Sequence, residues 1–349
     1  MPMILILGNN TDMTPPKPPT VYDVAKKAGV SYQTVSRVIN GSPHVSAKTL
    51  LRVQDAIRQL EYQPNKAAQM LVTGRSYTLQ IVTAGIGQYG PAQMIVGVER
   101  AAKNLGYRLL FTDTEDATPA DIQLAIDNLG HVDGTVVITP TKNPIYEDLI
   151  TACKDSHYVQ IGTLVGSSKA PSVVIDQMYG SQLATQHLID LGHRQIAEIS
   201  GPLDWHDAIA RHQSWLAALQ ANHLEPVLSV LGDWTAVGGY AAAKTLLDSG
   251  VRFTGLVVGN DQMALGAIHA FREQGLKIPD DVSVIGFDDI PEATFFDPPL
   301  TTIRQDFLTL GRQSVEYLVE MIKEPETPLQ QRILYPIFVQ RQSTCVIPL

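Results

Sequence analysis

Cysteine is almost absent. Cys153 and Cys345 are the only two in 349 residues, too few for a disulfide framework. Neither has histidine partners at ligand spacing, so no metal site is expected. His187, His193, His206 and His212 stand in separate local contexts and read as ordinary helix and loop residues. Long apolar runs are also missing, which excludes a membrane span. Met3–Leu7 is apolar, but no basic residues precede it and it is shorter than most signal cores. A cytoplasmic protein is therefore expected. GxSxG, P-loop and HExxH motifs do not occur. With 44% hydrophobic and 17% charged residues, the chain is expected to fold into two or three globular domains.

The net charge of -9 hides an asymmetry. Residues 1–75 hold nine Lys/Arg against four Asp/Glu, a net of +5; the remainder holds 17 against 31, a net of -14. A basic head on an acidic body suits a nucleic-acid-binding module carried by a domain that does not bind nucleic acid. Residues 1–19 include the proline-rich Thr14–Pro19 and are expected to be a disordered extension. Met13 is an alternative translation start.

Thr20 to Tyr62 reads as three helices. Thr20 with Asp23 is close to a capping box, and Val21, Val24 and Ala25 give the first helix an apolar stripe. Gly29 supplies the positive φ that a tight turn at Ala28–Val30 requires. Ser31 caps a second helix that buries Val35, Val38 and Ile39 and ends at Asn40–Pro43. Ser46 caps the third, whose Leu50, Leu51, Val53, Ile57 and Leu60 are expected to close the core. Helix, glycine turn, helix is the helix-turn-helix pattern, and its second helix enters the major groove. Gln33 and Arg37 share a face, and Tyr32 lies at the leading end. Gln can bridge adenine N6 and N7, and Arg can bridge guanine O6 and N7. Thr34 and Ser36 suit phosphate. A plain surface helix would also be polar outside; the agreement of turn, caps and reading face favours DNA.

YDVAKKAGVSYQTVSRVING followed by HVSAKT resembles the headpiece of the lactose/galactose repressor family of bacterial transcription regulators. GDWTAVGGY, NDQMALGAI, GFDD and PPLTTIRQDF extend the resemblance from about Thr20 to the C-terminal region. It implies that Tyr22, Ser31, Asn40 and His44 join Tyr32, Gln33, Thr34, Ser36 and Arg37 on DNA. It also implies that the helix-prone linker from Pro64 pairs with a second subunit and enters the minor groove. There Asn65 and Ala68 would contact DNA and Leu71 would wedge between base steps. A passive linker is the alternative.

From Leu79 the chain alternates strand and helix in two series: LQIVTA, YRLLFT, GTVVIT and HYVQIG, then QIAEIS, PVLSVL, TGLVVG and DVSVIG. This predicts two doubly wound parallel sheets with helices on both faces, as in periplasmic sugar-binding proteins. The fold class is therefore an all-α helix-turn-helix headpiece plus a two-subdomain α/β core. The expected boundaries are 1–19 for the extension, 20–63 for the headpiece and 64–76 for the hinge helix and linker. The resemblance implies that residues 77–176 with 307–333 form the first subdomain, and 177–306 with 334–349 the second.

Ligands in such sheets bind beyond the carboxyl ends of the strands. Arg211, Asn260 and Asp288 fall there, and Trp234 lies in a Gly-rich loop. Together they offer donors, acceptors and an apolar platform, which is what a sugar needs. Singly, Asp288 or Asp289 could cap a turn and Trp234 could be core. The resemblance places sugar-binding residues at these four positions and adds Pro91, Gln305 and Phe307 as cleft walls. It also implies an acidic residue where this chain has Gly162, followed by a longer loop at Thr163–Ala170. A hydroxyl acceptor is then missing unless Asp176 or another group replaces it.

An enzyme reading rests on Gly85-Ile86-Gly87-Gln88-Tyr89-Gly90 with Asp113 beyond it, a dinucleotide-like pattern, and on the Tyr240/Lys244 spacing of some dehydrogenases. Pro91 removes an N–H where a pyrophosphate would want one. The reading that results is a non-enzymatic repressor of carbohydrate-use genes, without cofactor. Its expected partners are operator DNA, a galactoside-like sugar inducer and a second copy of itself. A purine-type corepressor-dependent regulator is the alternative within the family. No leucine-heptad run follows Leu334–Arg341, so a dimer rather than a tetramer is expected.

Overall fold

The computed structural model describes residues 18–39, 44–62, 74–115, 118–142, 144–162 and 170–347. They fall into two compact units that divide between Ser76 and Tyr77.

The first unit contains α1 (Val21–Ala28), α2 (Tyr32–Ile39) and α3 (Ala47–Gln59). Thr20 and Asp23 form the reciprocal capping box: the Asp23 carboxylate accepts from Thr20 N–H at 2.8 Å. Gly29 turns the chain at φ 61°. Arg52 of α3 donates to the carbonyls of Ala28 and Gly29, so the turn is pinned from the third helix. Val24, Val35, Val53 and Ala56 are buried at its centre, with Val38, Ile39, Ile57 and Leu60 packed around them. Leu50 and Leu51 depart from expectation, since Leu51 is 64% exposed and Leu50 also faces out. Leu51 precedes the inward Val53 by two residues, roughly 200° round the helix. Ala56 takes the inward place instead.

The second unit carries two parallel sheets. The first has six strands: β1 (Thr78–Thr83), β2 (Arg108–Asp113), β3 (Gly134–Ile138), β4 (Tyr158–Gly162), β5 (Ser172–Ile175) and, from far along the chain, β11 (Gln331–Leu334). Their order is β11-β5-β4-β3-β1-β2. The connecting helices are α4 (Tyr89–Asn104), α5 (Pro119–Asp127) and α6 (Ile145–Cys153). The second sheet has the order β7-β6-β8-β9, from β6 (Ile196–Ser200), β7 (Ser229–Leu231), β8 (Gly255–Val258) and β9 (Ser283–Ile285). Its helices are α7 (Gln177–Asp190), α8 (His206–Ala221), α9 (Ala236–Asp248) and α10 (Asp261–Glu273). β10 (Thr302–Arg304) and β12 (Ile337–Val339) pair antiparallel.

The chain leaves the first sheet after Ile175 and returns to it through α11 (Phe307–Lys323), which follows β10. Leu310, Val315 and Leu318 of α11 share a buried cluster with Leu79, Val136 and Val159 of the first sheet. After β11 the chain leaves again for β12. Most of the parallel strands lead into a helix, and the loops at their carboxyl ends are where a doubly wound sheet gathers its polar ligand groups. Among the described residues no helix is long and apolar enough to cross a membrane.

Candidate functional site

In the first unit the second helix presents Gln33 and Arg37 to solvent. Tyr32, 41% exposed, stacks on Tyr22 of α1, 67% exposed, with ring centroids 5.2 Å apart and 19° between planes. Two aromatic rings kept outside the small core form a flat shelf beside the polar face. Ser31 Oγ accepts from Thr34 N–H at 3.2 Å and lies 2.9 Å from Thr34 Oγ1, fixing the start of the helix. Ser36 is half-buried, and His44 is exposed before α3. Asn40, Asn65, Ala68 and Leu71 lie outside the described residues.

In the second unit a cleft is walled by the carboxyl ends of both sheets. Pro91, Arg211, Trp234, Asn260, Asp288 and Phe307 all line it. The first sheet contributes Pro91 through α4, and the second contributes Arg211 through α8. Arg211 is buried, and Nε donates to Gln177 Oε1 at 2.9 Å while Nη1 donates to the Gly259 carbonyl. Its Nη2 lies 3.8 Å from Asp288 Oδ1 and 3.7 Å from Asp207 Oδ2. The guanidinium also covers the Phe287 ring at 3.8 Å. A buried cation thus has two carboxylates and two neutral acceptors around it.

Asn260 caps α10, accepting from Met263 N–H at 2.9 Å, and donates to the Trp234 carbonyl at 3.0 Å. It therefore braces the loop whose Trp234 sits at φ 71°. The Trp234 ring is buried, and its indole N–H has no hydrogen-bond partner among the described residues. Gln305 is the exception among the expected wall residues. It stands behind Asp288, donating to Asp288 Oδ1 at 2.7 Å and accepting from Gln177 at 2.7 Å. Asp289 does not reach the cleft; Arg304 and Arg341 each hold it at 2.6 Å. Asp176 caps α7 through Tyr179 N–H at 2.9 Å and lies outside the cleft lining. Sequence reasoning missed Gln177, Trp205 and Asp207, which do line it. Asp207 sits one turn before Arg211 on α8, and that spacing was the available signal.

Burial pushes the Asp288 carboxyl up to about 6, against the opposing pull of Arg211 and Gln305. Asp261 behind it is also raised, by burial and by Asp288, though it accepts from Thr302 Oγ1 at 2.6 Å and Ile290 N–H at 2.9 Å. A carboxyl whose folded-state pKa exceeds the unfolded one is a proton held by the native state. Its stabilisation is full below about pH 4 and is lost as pH rises through the folded value. Asp288→Asn stays neutral and should remove that dependence. Denaturant unfolding of both proteins should show wild type losing stability relative to the variant between about pH 4 and pH 6.5. A difference that stays flat across that range would mean Asp288 titrates as an exposed acid does.

The dinucleotide-like pattern fails on geometry. A Cβ on Gly85 would lie 2.8 Å from the Trp205 ring, so an indole occupies the space over the first glycine of the pattern. Tyr240 points to Glu273 on another helix, with its hydroxyl donating at 2.6 Å.

Residues 20–65 match the lacI family of bacterial regulatory proteins, and residues 185–344 match the periplasmic binding protein-like domain. The chain is 36% identical over 336 residues to the lactose operon repressor of Escherichia coli (strain K12), covering 95% of this chain and 92% of that one. It is 33% identical to the ribose operon repressor of the same strain, covering 93% and 99%. The crystal structure of the lac repressor dimer bound to operator and the anti-inducer ONPF aligns at TM-score 0.83 and 35% identity, covering 94% of this chain and 100% of that chain. Matched at such identity along nearly its whole length, this chain belongs to the lacI family of bacterial regulatory proteins, which are DNA-binding repressors and not enzymes.

Proposed function

We propose that the protein is a cytoplasmic, homodimeric repressor of carbohydrate-use genes, released from its operator by a neutral, galactoside-like sugar. The observation that carries the sugar reading is the cleft's composition. One buried guanidinium and its carboxylates stand beside the buried Trp234 ring, with Arg211 Cζ 5.6 Å from the ring centroid. Sugars offer hydroxyls of both senses and an apolar ring face, and they match that lining. The names of the lactose and ribose operon repressors point the same way. Release follows from linkage: the sugar must bind the state of low DNA affinity better than the state of high affinity. A thermal-shift screen of sugars tests the reading. A ligand at ~100 times its Kd stabilises by about 2.7 kcal/mol. No stabilisation by any neutral sugar would count against it.

The DNA half rests on Tyr32, Gln33 and Arg37, which the resemblance carries over residue for residue from the lactose operon repressor. The half-site should therefore resemble that repressor's. Arg37→Ala is expected to cost about 1–3 kcal/mol of specific binding and to relax one base position. Selection from a randomised half-site measures both. Equal weakening on all sequences would move Arg37 from a base to a phosphate. Two copies are required because one headpiece reads one half-site.

A further inference from the structure

The turn of α8 from Arg211 to Ser214 is tied on three sides. Toward the cleft, Arg211 donates to Gln177 and to the Gly259 carbonyl. Toward α7, Ser181 Oγ donates to the Arg211 carbonyl at 2.7 Å, and Ser214 Oγ donates to the Met178 carbonyl at 2.6 Å. Toward the second sheet, His212 Nδ1 lies 2.6 Å from Oε2 of Glu198 on β6. Ser229 of β7 donates to the same oxygen at 2.6 Å. Glu198 is 3% exposed, an acid set into the sheet beneath the helix.

A carboxylate removed from water needs donors, and a charged donor serves it better than a neutral one. Ser229 supplies a neutral donor, and His212 supplies a cation when protonated. The ties to α7 join hydroxyls to carbonyls, and the guanidinium of Arg211 keeps its charge throughout the physiological range. The tie to Glu198 is the one whose charge changes near neutrality. Its hydrogen bond to Glu198 holds the His212 imidazole above the usual histidine value, against the opposing effect of burial. The other ionisable groups of this region bear on the cleft instead. Arg211 turns there toward Asp207 and Asp288, and Asp288 titrates at about 6. His206, at the start of α8, is held below the usual value by burial. From α7 and β7 this turn meets hydroxyls and a carbonyl, which do not ionise. A histidine raised in the folded state gives its full stabilisation below about pH 6.5 and loses it as pH rises through the folded value.

We propose that His212 and Glu198 form a proton-operated latch: the protonated pair fastens the Arg211–Ser214 turn to the second sheet, and loss of the proton loosens the turn that presents Arg211 to the cleft. The latch does not depend on which ligand fills the cleft.

Two measurements on the full chain, without ligand, test it. Trp215 lies three residues on, with its ring 5.7 Å from the imidazole and 34° between planes, and it is one of three tryptophans. An imidazolium beside an indole quenches its emission more than neutral imidazole does. Wild-type emission should therefore fall as pH is lowered, with a midpoint above about 6.5. His212→Gln should lose that component, although its amide can still donate to Glu198. Glu198→Gln keeps the size and can accept from both donors, and its midpoint should drop to about 6.5 or below. Ser229→Ala leaves the pair in place and should keep the wild-type midpoint or raise it. The second measurement is hydrogen exchange of a peptide spanning Arg211 to Trp215, corrected for the intrinsic rate. Its protection should fall about threefold or more between pH 6 and pH 8 in wild type and in Ser229→Ala, and stay constant in His212→Gln. Protection that does not change with pH in wild type overturns the latch. So does an unaltered fall in His212→Gln, or a midpoint that Glu198→Gln leaves in place.

Discussion

Arg211→Met should abolish the response to sugar and destabilise the second unit by about 3–5 kcal/mol, the usual cost of removing one partner from a buried ion pair. The size follows from what Arg211 holds. Its guanidinium serves Gln177 and the Gly259 carbonyl, and it stands between Asp207 and Asp288. Methionine fills much of the volume but leaves two buried acceptors unserved and two carboxylates facing each other. Asp288, already pushed up to about 6, would then hold its proton more strongly still. The stability deficit should therefore be smaller at pH 5 than at pH 7.5, because the protonated acid no longer needs its cation. Urea unfolding at the two pH values measures this. An equal deficit at both would assign the loss to packing on Phe287 rather than to charge.

Gly201→Ala is expected to damage the cleft nearly as much by a different route. A Cβ on Gly201 would lie 2.1 Å from Trp234 Cη2, so the indole must move. It has little room to do so. Trp205 meets its edge, and Asn260 holds its carbonyl. Overpacking of this kind costs about 1–3 kcal/mol. We expect sugar affinity to fall about tenfold or more as the platform tilts, with operator binding retained but no longer released. Isothermal titration and the indole emission maximum report the two effects. Unchanged affinity would show that the ring at Trp234 is core and not platform.

What the sequence revealed and what it concealed divide along a physical line. The capping box at Thr20, the turn at Gly29 and the Ser46 cap are local, because each depends on residues three or four apart. The strand ends were legible for the same reason: apolar runs stop where the polar residues begin. β5 is not legible in the sequence, and the return of α11 to the first sheet is implied only by the resemblance. Ser172–Ile175 is only four residues long, and α11 is held by packing on strands about 130 or more residues earlier in the chain. Leu50 and Leu51 misled because hydrophobicity alone does not give rotation about a helix. In the cleft, the resemblance places Gln305 in the wall; its amide stands one layer behind, bonded to the lining residues Gln177 and Asp288. Asp207 carries a local signal, one turn before Arg211, but Trp205 has none: the backbone bridge that positions it comes from Thr141, more than 60 residues away.

The central claim is that ligand in the cleft lowers affinity for the operator. It is tested by fluorescence anisotropy of the dimer with a labelled palindrome built on the lactose operon repressor's half-site, at fixed salt because the phosphate contribution varies steeply with ionic strength. Saturating neutral sugar should weaken operator binding about tenfold or more, a coupling of about 1.4 kcal/mol or above, and leave random-sequence DNA unaffected. Operator DNA should weaken the sugar by the same factor. Tighter operator binding in the presence of ligand would make the protein corepressor-dependent, and an unchanged affinity would disconnect the cleft from DNA altogether.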